Sequence, residues 1–109
     1  MKFEFETMEE KRIPKFKGGE GDFIARMYTD EAGKIIKGRL NPGSSIGMHV
    51  HDTGSEIIYI LKGNGKCLYD DAVESLKEGD CHYCPREHRH SLINDGDQDL
   101  IFFAVVTEQ

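Results

Sequence analysis

Three histidines and one glutamate are spaced along the chain in a way that suits metal ligation. His49 and His51 stand two residues apart in a candidate β-strand, so both imidazoles project from one face. Glu56 begins the next candidate strand after a short turn, and antiparallel pairing can bring its carboxylate beside them. His90 lies on a later strand and can complete the cluster. Such a ligand set suits Fe, Mn, Ni, Co or Zn and leaves open positions for a substrate or water.

The residues after Glu56 support this interpretation. Residues 57–61 are apolar at every position, which predicts a strand that is apolar on both faces. A carboxylate buried at the head of such a strand is costly unless it is paired or bound to a metal. A bound cation would remove that cost.

A second pattern that could be written as a metal site is disfavoured. Cys81 and Cys84 precede His88 and His90 with the spacing C-x2-C-x3-H-x-H, which could describe a zinc site. Residues three apart on a strand point to opposite faces, and no helix begins at Cys81 to lower a thiol pKa. We therefore interpret both cysteines as structural, and we expect Cys67 to pack in the core or to line the wall of a pocket.

Short strands must position these residues. Glycine, proline, asparagine and aspartate interrupt the apolar runs, and no window of a dozen residues keeps a helical periodicity. The strand candidates are residues 23–28, 34–40, 45–51, 56–61, 65–69, 74–76, 81–84, 89–93 and 100–106. Their spacing of about 8 to 12 residues predicts an all-β sandwich or barrel.

Length and charge limit the classes of function. A chain of 109 residues is expected to form one compact domain, in which residues 21–109 carry the strand pattern. Residues 1–20 are less patterned and are predicted to form an arm or an edge strand. A net charge of −6 disfavours binding to nucleic-acid phosphates or anionic membranes, so a small molecule is the expected partner.

Location and assembly are predicted from the apolar runs and the cysteines. The longest apolar run, residues 100–106, is far shorter than the roughly 20 residues that span a bilayer, and no secretory signal is evident. Three cysteines cannot all pair within one chain, which favours a reducing, cytoplasmic location. Because the run 100–106 does not alternate, both of its faces should be covered, and we predict a homodimer with an interface near this strand or on the sheet to which it belongs.

Two spaced motifs resemble those of the cupin superfamily. The first has the family spacing without departure at Gly43, His49, His51, Glu56 and Gly63. The second has it at Gly79, Pro85, His90 and Asn94. It departs at one position, Glu87, where the family favours a glycine. The resemblance covers residues 33–106.

This resemblance implies a single-domain cupin-type β-barrel, also called a double-stranded β-helix or jelly roll. It implies a divalent transition metal inside the barrel, held by His49, His51, Glu56 and His90. Two functions remain open, since fold alone does not establish catalysis. One is a metal-dependent enzyme of the dioxygenase or isomerase type that acts on a small oxygen-bearing substrate. The other is a non-catalytic cupin that binds or senses a small ligand through its bound metal.

Residues beyond the ligands are harder to assign. A proton shuttle would have to come from residues near the two motifs, and the candidates are His88, Tyr69 and Glu87. Some cupins place anion-binding groups on early strands, where this chain has Arg26, Lys37 and Arg39. Alternation by itself leaves open which of these three cations face inward, and long charged side chains on barrels usually face water.

Overall fold

The computed structural model describes residues 1–108, which fold almost entirely into strands. Two short 3-10 turns, Phe5–Thr7 and Phe16–Gly18, flank the first strand. The strands, in chain order, are β1 (Lys11–Pro14), β2 (Asp22–Asp30), β3 (Gly33–Leu40), β4 (His49–Val50), β5 (Gly54–Lys62), β6 (Asn64–Tyr69), β7 (Ala72–Lys77), β8 (Cys81–Cys84), β9 (Arg89–Ile93) and β10 (Leu100–Glu108). None of the helical segments described is long and apolar enough to cross a membrane.

The strands form two antiparallel sheets. One sheet has the order β1-β2-β3-β10-β5-β8 and the other the order β4-β9-β6-β7. Together they make a jelly-roll β-barrel, so the predicted all-β fold class is confirmed. Adjacent strands in the chain often lie in different sheets, and this brings residues far apart in sequence to the same part of the interior.

Strict alternation along the strands builds the core. On β10, Leu100, Phe102, Ala104 and Val106 are buried, while the residues between them face outward and are only partly covered. Gly38 on β3 lies opposite this row, where a side chain would meet the ring of Phe102 at 2.8 Å. The aromatic core therefore requires glycine at that position.

The N-terminal residues pack along the outer face of the six-stranded sheet. β1 pairs with β2, and the ring of Phe5 contacts that of Phe103 on β10 at 6.1 Å between centroids. Two carboxylates of this segment pair with outward-facing cations of β2 and β3. Glu6 lies 3.2 Å from Lys37 and 3.4 Å from Arg26, and Glu10 lies 3.0 Å from Arg39. These three cations therefore face away from the barrel interior.

The chain before the first ligand is less regular than its sequence predicts. Of the candidate strand at residues 45–51, only His49–Val50 forms a ladder, and Ser45 makes one isolated bridge to Ile93. Gly47 instead packs against the Phe16–Gly18 turn, where its amide donates to the carbonyl of Phe16 at 3.0 Å. The backbone there leaves no room for a side chain on Gly47.

Candidate metal centre

The four predicted ligands converge inside the barrel. His49 on β4 pairs in register with His90 on β9, His51 follows β4, and Glu56 lies on β5 of the other sheet. Oε1 of Glu56 lies 2.9 Å from Nε2 of His51 and 2.9 Å from Nε2 of His90. Nε2 of His90 lies 3.0 Å from Nε2 of His51 and 3.2 Å from Nε2 of His49. The structure thus brings together, from three strands and one loop, every ligand that the sequence suggested.

These separations fit a shared cation. Ligand atoms bound at about 2.1 Å and at right angles to one another lie about 3 Å apart. Nε2 of His49 and Oε1 of Glu56 are separated by 3.9 Å, and all four ligand atoms lie within 4.8 Å of one another. The three imidazole nitrogens and the carboxylate oxygen point at one spot, and they carry too few hydrogens to satisfy one another by hydrogen bonding. A bound cation would accept the lone pairs that remain.

Burial sets the protonation of the centre. Glu56 is only 7% exposed, and this burial opposes its ionisation, but the surrounding imidazoles of His49, His51 and His90 hold its pKa well below the usual range. Burial lowers the pKa of His90, although Glu56 acts in the opposite direction. The carboxylate is therefore charged and His90 is neutral at pH 7, which are the forms that bind metals.

Two of the ligands are oriented by hydrogen bonds to their other ring nitrogen. Nδ1 of His49 donates to the carbonyl of Gly47 at 2.7 Å, which leaves its Nε2 free for a metal. Nδ1 of His90 lies 3.0 Å from Nε2 of His82, whose Nδ1 lies 2.6 Å from Glu74. Sequence reasoning missed His82 and Glu74, because their proximity to His90 depends on how the sheets that contain β7 and β8 pack over each other.

A cavity of about 190 Å³ opens beside the ligands. His49, His51 and Glu56 line it together with an apolar wall of Phe16, Phe23, Met27, Ile36, Ile46, Phe102 and Val106. Lys34 also lines it, because Lys34 shares the inward face of β3 with Ile36. Lys34 is the early-strand cation that enters the site, and the alternation of Ile36 and Leu40 in the sequence could have identified it.

The other proposed site residues lie elsewhere. His88 is about half exposed, with Nδ1 2.6 Å from Asp70 and its ring stacked on Tyr69 at 5.6 Å. Glu87 is exposed in the turn before β9 and adopts φ +75°, a backbone region that glycine favours. Neither these two residues nor Tyr69 is among the described residues that line the cavity.

The cysteines do not form the alternative zinc cluster. Cys81 is exposed and Cys84 is buried, as expected for residues on opposite faces of a strand. Cys67 is buried behind the metal ligands, with Sγ 3.4 Å from Nε2 of His82. Burial raises the pKa of Cys67 to about 12 and that of Cys84 to about 11, so both are thiols at neutral pH.

Comparison with known proteins identifies relatives of this chain. Residues 37–106 match the model of the cupin domain. An oxalate-binding protein of Thermotoga maritima is 35% identical over 103 residues, which cover 88% of this chain and 84% of the relative. An uncharacterised protein of Methanocaldococcus jannaschii is 38% identical over 90 residues, covering 67% of this chain and 72% of that protein.

Solved structures agree with the fold. The crystal structure of a predicted oxalate decarboxylase from Thermotoga maritima superposes with a TM-score of 0.94 at 30% identity, and the match covers 100% of both chains. An RmlC-like cupin from Shewanella frigidimarina, at 18% identity, superposes with a TM-score of 0.81 over 100% of this chain and 92% of its own. The chain therefore belongs to the cupin family and is a small single-domain member of it.

Proposed function

We propose that this protein holds a divalent transition metal with His49, His51, Glu56 and His90 and binds a small dicarboxylate of the oxalate class beside it. The observation that carries the proposal is the cavity that opens directly onto three of these ligands. A metal with four protein ligands retains open positions that oxygen donors can occupy. Two adjacent carboxylate oxygens suit such a pair of positions.

The cavity suits a small anion in size, and one cation on its wall is available to it. Its volume of about 190 Å³ leaves room for only a few heavy atoms. Lys34 is partly buried on its wall and forms no salt bridge with the described residues, although Asp52 and Glu108 line the same cavity. A bound carboxylate would therefore gain a charge-assisted hydrogen bond from a lysine that no residue within 1–108 pairs with.

The relatives support the same ligand class. The Thermotoga maritima protein that is 35% identical to this chain is called an oxalate-binding protein, and the match covers most of both chains. We transfer that ligand class to this protein because its ligand cluster and its inward-facing lysine provide the chemistry that a dicarboxylate requires.

The test is calorimetric titration of oxalate into protein loaded in turn with Mn²⁺, Fe²⁺, Co²⁺, Ni²⁺ or Zn²⁺. We expect saturable binding to at least one loaded form and none to metal-stripped protein. Lys34→Met is expected to weaken binding by about tenfold, since it removes one charged hydrogen bond. Lys37→Met is the matched control, because Lys37 lies on the same strand but faces outward. Absence of oxalate binding to every loaded form would refute the proposal.

A second candidate is catalysis at the same site, in which the bound metal would supply Lewis-acid or oxygen chemistry. The predicted oxalate decarboxylase whose structure superposes on this chain favours it. Oxidative cleavage of the dioxygenase type and isomerisation are the alternatives. Any such reaction needs a proton donor, and Lys34 and Lys17 are the described cationic residues of the cavity wall that could serve.

Turnover distinguishes the two candidates. Metal-loaded protein is incubated with oxalate, and formate and carbon dioxide are measured; catechols, diketones, thiols and sugar phosphates are assayed in parallel. Metal-dependent product formation that His51→Ala abolishes would establish an enzyme. Saturable oxalate binding without any turnover would leave the binding function as the correct one.

Assembly and location complete the proposal. The outer face of β5 and β8 exposes Ile57, Tyr59, Leu61 and Tyr83, and Ile57 pairs with Tyr83 across the two strands. We attribute this apolar face to a homodimer interface, because contiguous exposed apolar surface marks association sites. The free thiols of Cys67, Cys81 and Cys84 support a cytoplasmic location, where cysteines remain reduced.

A further inference from the structure

A row of hydrogen-bonded side chains lies behind His90, on the side away from Glu56. Oε1 of Glu74 on β7 lies 2.6 Å from Nδ1 of His82 on β8, and Nε2 of His82 lies 3.0 Å from Nδ1 of His90. His82 and His90 are each only 1% exposed, and their rings are stacked with centroids 5.2 Å apart. The row does not belong to the wall of the cavity.

We infer that Glu74 and His82 are positioning residues, which hold His90 in the one tautomer and orientation that present the lone pair of Nε2 to the metal. The inference rests on the proposed role of His90 as a ligand. It goes beyond the proposed function, because it assigns a role to two residues that are not among the four proposed ligands and do not line the cavity.

The direction of the hydrogen bonds follows from the acceptor at the end of the row. An ionised Glu74 can only accept, so the hydrogen between it and His82 is on Nδ1 of His82. A neutral His82 then has its lone pair on Nε2, which accepts from Nδ1 of His90. His90 protonated at Nδ1 has its lone pair on Nε2, the atom that faces Glu56 and the other histidines. A bound cation would take the place of a hydrogen between this nitrogen and Oε1 of Glu56, which lies 2.9 Å away.

The opposite direction is incompatible with a metal on Nε2 of His90. In a neutral His82 it would place an unprotonated Nδ1 at 2.6 Å from a carboxylate oxygen, with no hydrogen between two acceptors. It would also place a hydrogen on Nε2 of His90, where that hydrogen would block a metal.

Cys67 packs against the same imidazole. Its Sγ lies 3.4 Å from Nε2 of His82. The thiol is buried, and this burial raises its pKa to about 12, so it keeps its proton at neutral pH. Its hydrogen can be donated to Nε2 of His82 or to the carbonyl of Leu68, which lies 3.7 Å from Sγ.

The fold supplies this row from both sheets. Glu74 and Cys67 are cross-strand partners on β7 and β6 of the four-stranded sheet, whereas His82 comes from β8 of the six-stranded sheet. His82 thus reaches across the interior to join the two layers behind the ligand. Hydrogen-bonded partners of this kind orient metal-bound imidazoles and raise their basicity.

The test compares Glu74→Met, which removes the acceptor, with Glu74→Gln, whose amide oxygen can still accept from His82. Glu78→Met is the matched control, because Glu78 is an exposed carboxylate in the turn that follows β7. The first readout is the tautomer of His82 and His90 in Zn²⁺-loaded protein at pH 8, measured by long-range ¹⁵N–¹H correlation NMR. The second is metal affinity, measured by competition between the protein and a chromogenic chelator for Zn²⁺.

We expect both histidines to be Nδ1-protonated in the zinc-loaded wild type, in Glu74→Gln and in Glu78→Met, and His82 to be mixed or reversed in Glu74→Met. Metal affinity is expected to fall about 10- to 100-fold in Glu74→Met alone. An unchanged tautomer and affinity in Glu74→Met would overturn the inference. If the tautomers depend on Glu74 while no loaded form binds oxalate, the positioning role is supported and the proposed ligand function fails.

Discussion

At the residue scale, the burial of His90 makes the metal-free centre sensitive to acid. Burial lowers the pKa of His90 in the folded chain, so below about pH 6.5 the unfolded chain binds a proton that the folded chain resists. Stability of the metal-free protein is therefore expected to fall as the pH drops from 7 toward 5.5. The lowered pKa of Glu56 makes stability fall with acid in the same way, but only below pH 4.5, its ordinary pKa.

Thermal melts of metal-stripped protein between pH 7.5 and 5 check this prediction. His90→Gln is expected to flatten the pH dependence above pH 5.5, and His88→Gln is the matched control, because His88 is about half exposed and lies outside the four-residue cluster. An equal slope in the wild type and in His90→Gln would show that His90 does not cause the acid sensitivity.

The three cysteines are expected to differ in reactivity. Cys81 is exposed, whereas burial raises the pKa of Cys67 to about 12 and that of Cys84 to about 11. A thiolate is the reactive form, so at pH 8 we expect one thiol per folded chain to react rapidly with a disulfide reagent. The other two are expected to react only after unfolding, and Cys81→Ser should abolish the fast phase. Rapid reaction of two or three thiols would contradict the burial of Cys67 and Cys84.

Sequence reasoning identified the four residues of the cluster but only part of their surroundings. His49, His51, Glu56 and His90 have a spacing that strand geometry and the cupin resemblance both explain. The same alternation could have predicted that Lys34 faces inward, because Lys34 lies two residues before the buried Ile36 on β3. The contacts that His82 makes could not be predicted from the sequence, since they depend on the packing of one sheet over the other.

At the element scale, the turn before β9 is hydrogen-bonded to the segment after β4 that carries His51. The amide of Glu87 donates to the carbonyl of His51 at 2.6 Å, and the amide of His51 donates to the carbonyl of His88 at 3.3 Å. Glu87 holds this position with φ +75°, which costs a residue with a side chain about 1 kcal/mol relative to glycine. The one departure from the cupin motifs thus falls at a position where the backbone favours glycine.

Glu87→Gly is therefore expected to raise the free energy of unfolding by about 1 kcal/mol in urea denaturation. Gly43→Ala is the reverse control: Gly43 has φ +84° with nothing within 4 Å of an added Cβ, so only the backbone penalty applies. It is expected to lower stability by about the same amount. A decrease in stability for Glu87→Gly would mean that the side chain makes a compensating interaction.

Strand positions were more predictable than strand pairing. The candidates along β5, β8, β9 and β10 coincide closely with the observed strands, because each is a short run bounded by turn residues, even where the run is apolar on both faces as on β5 and β10. Residues 45–51 look equally strand-like in sequence, but Gly47 packs against the Phe16–Gly18 turn and takes most of this segment out of the sheet. That contact joins segments about thirty residues apart, so a local pattern cannot predict it.

At the scale of the whole molecule, the apolar outer face of β5 and β8 predicts self-association. Tyr59 and Ile57 are each 43% exposed and Tyr83 is 55% exposed. We expect light scattering after size-exclusion chromatography to give twice the 12.4 kDa mass of one chain at micromolar concentration. Tyr59→Lys is expected to shift the protein toward monomer, whereas Val73→Lys, on an exposed strand of the other sheet, should not. A monomeric wild type would contradict the dimer.

The central claim is that four side chains from across the fold form one metal site, and metal content per chain tests it most directly. Protein purified without a histidine tag or chelator is analysed by plasma mass spectrometry, alongside His51→Ala and Glu56→Gln. We predict close to one equivalent of Fe, Mn, Ni, Co or Zn in the wild type and a sharp loss in His51→Ala, with the barrel still folded by circular dichroism. An empty wild type that takes up none of these ions on titration, or unchanged metal content in His51→Ala, would contradict the account.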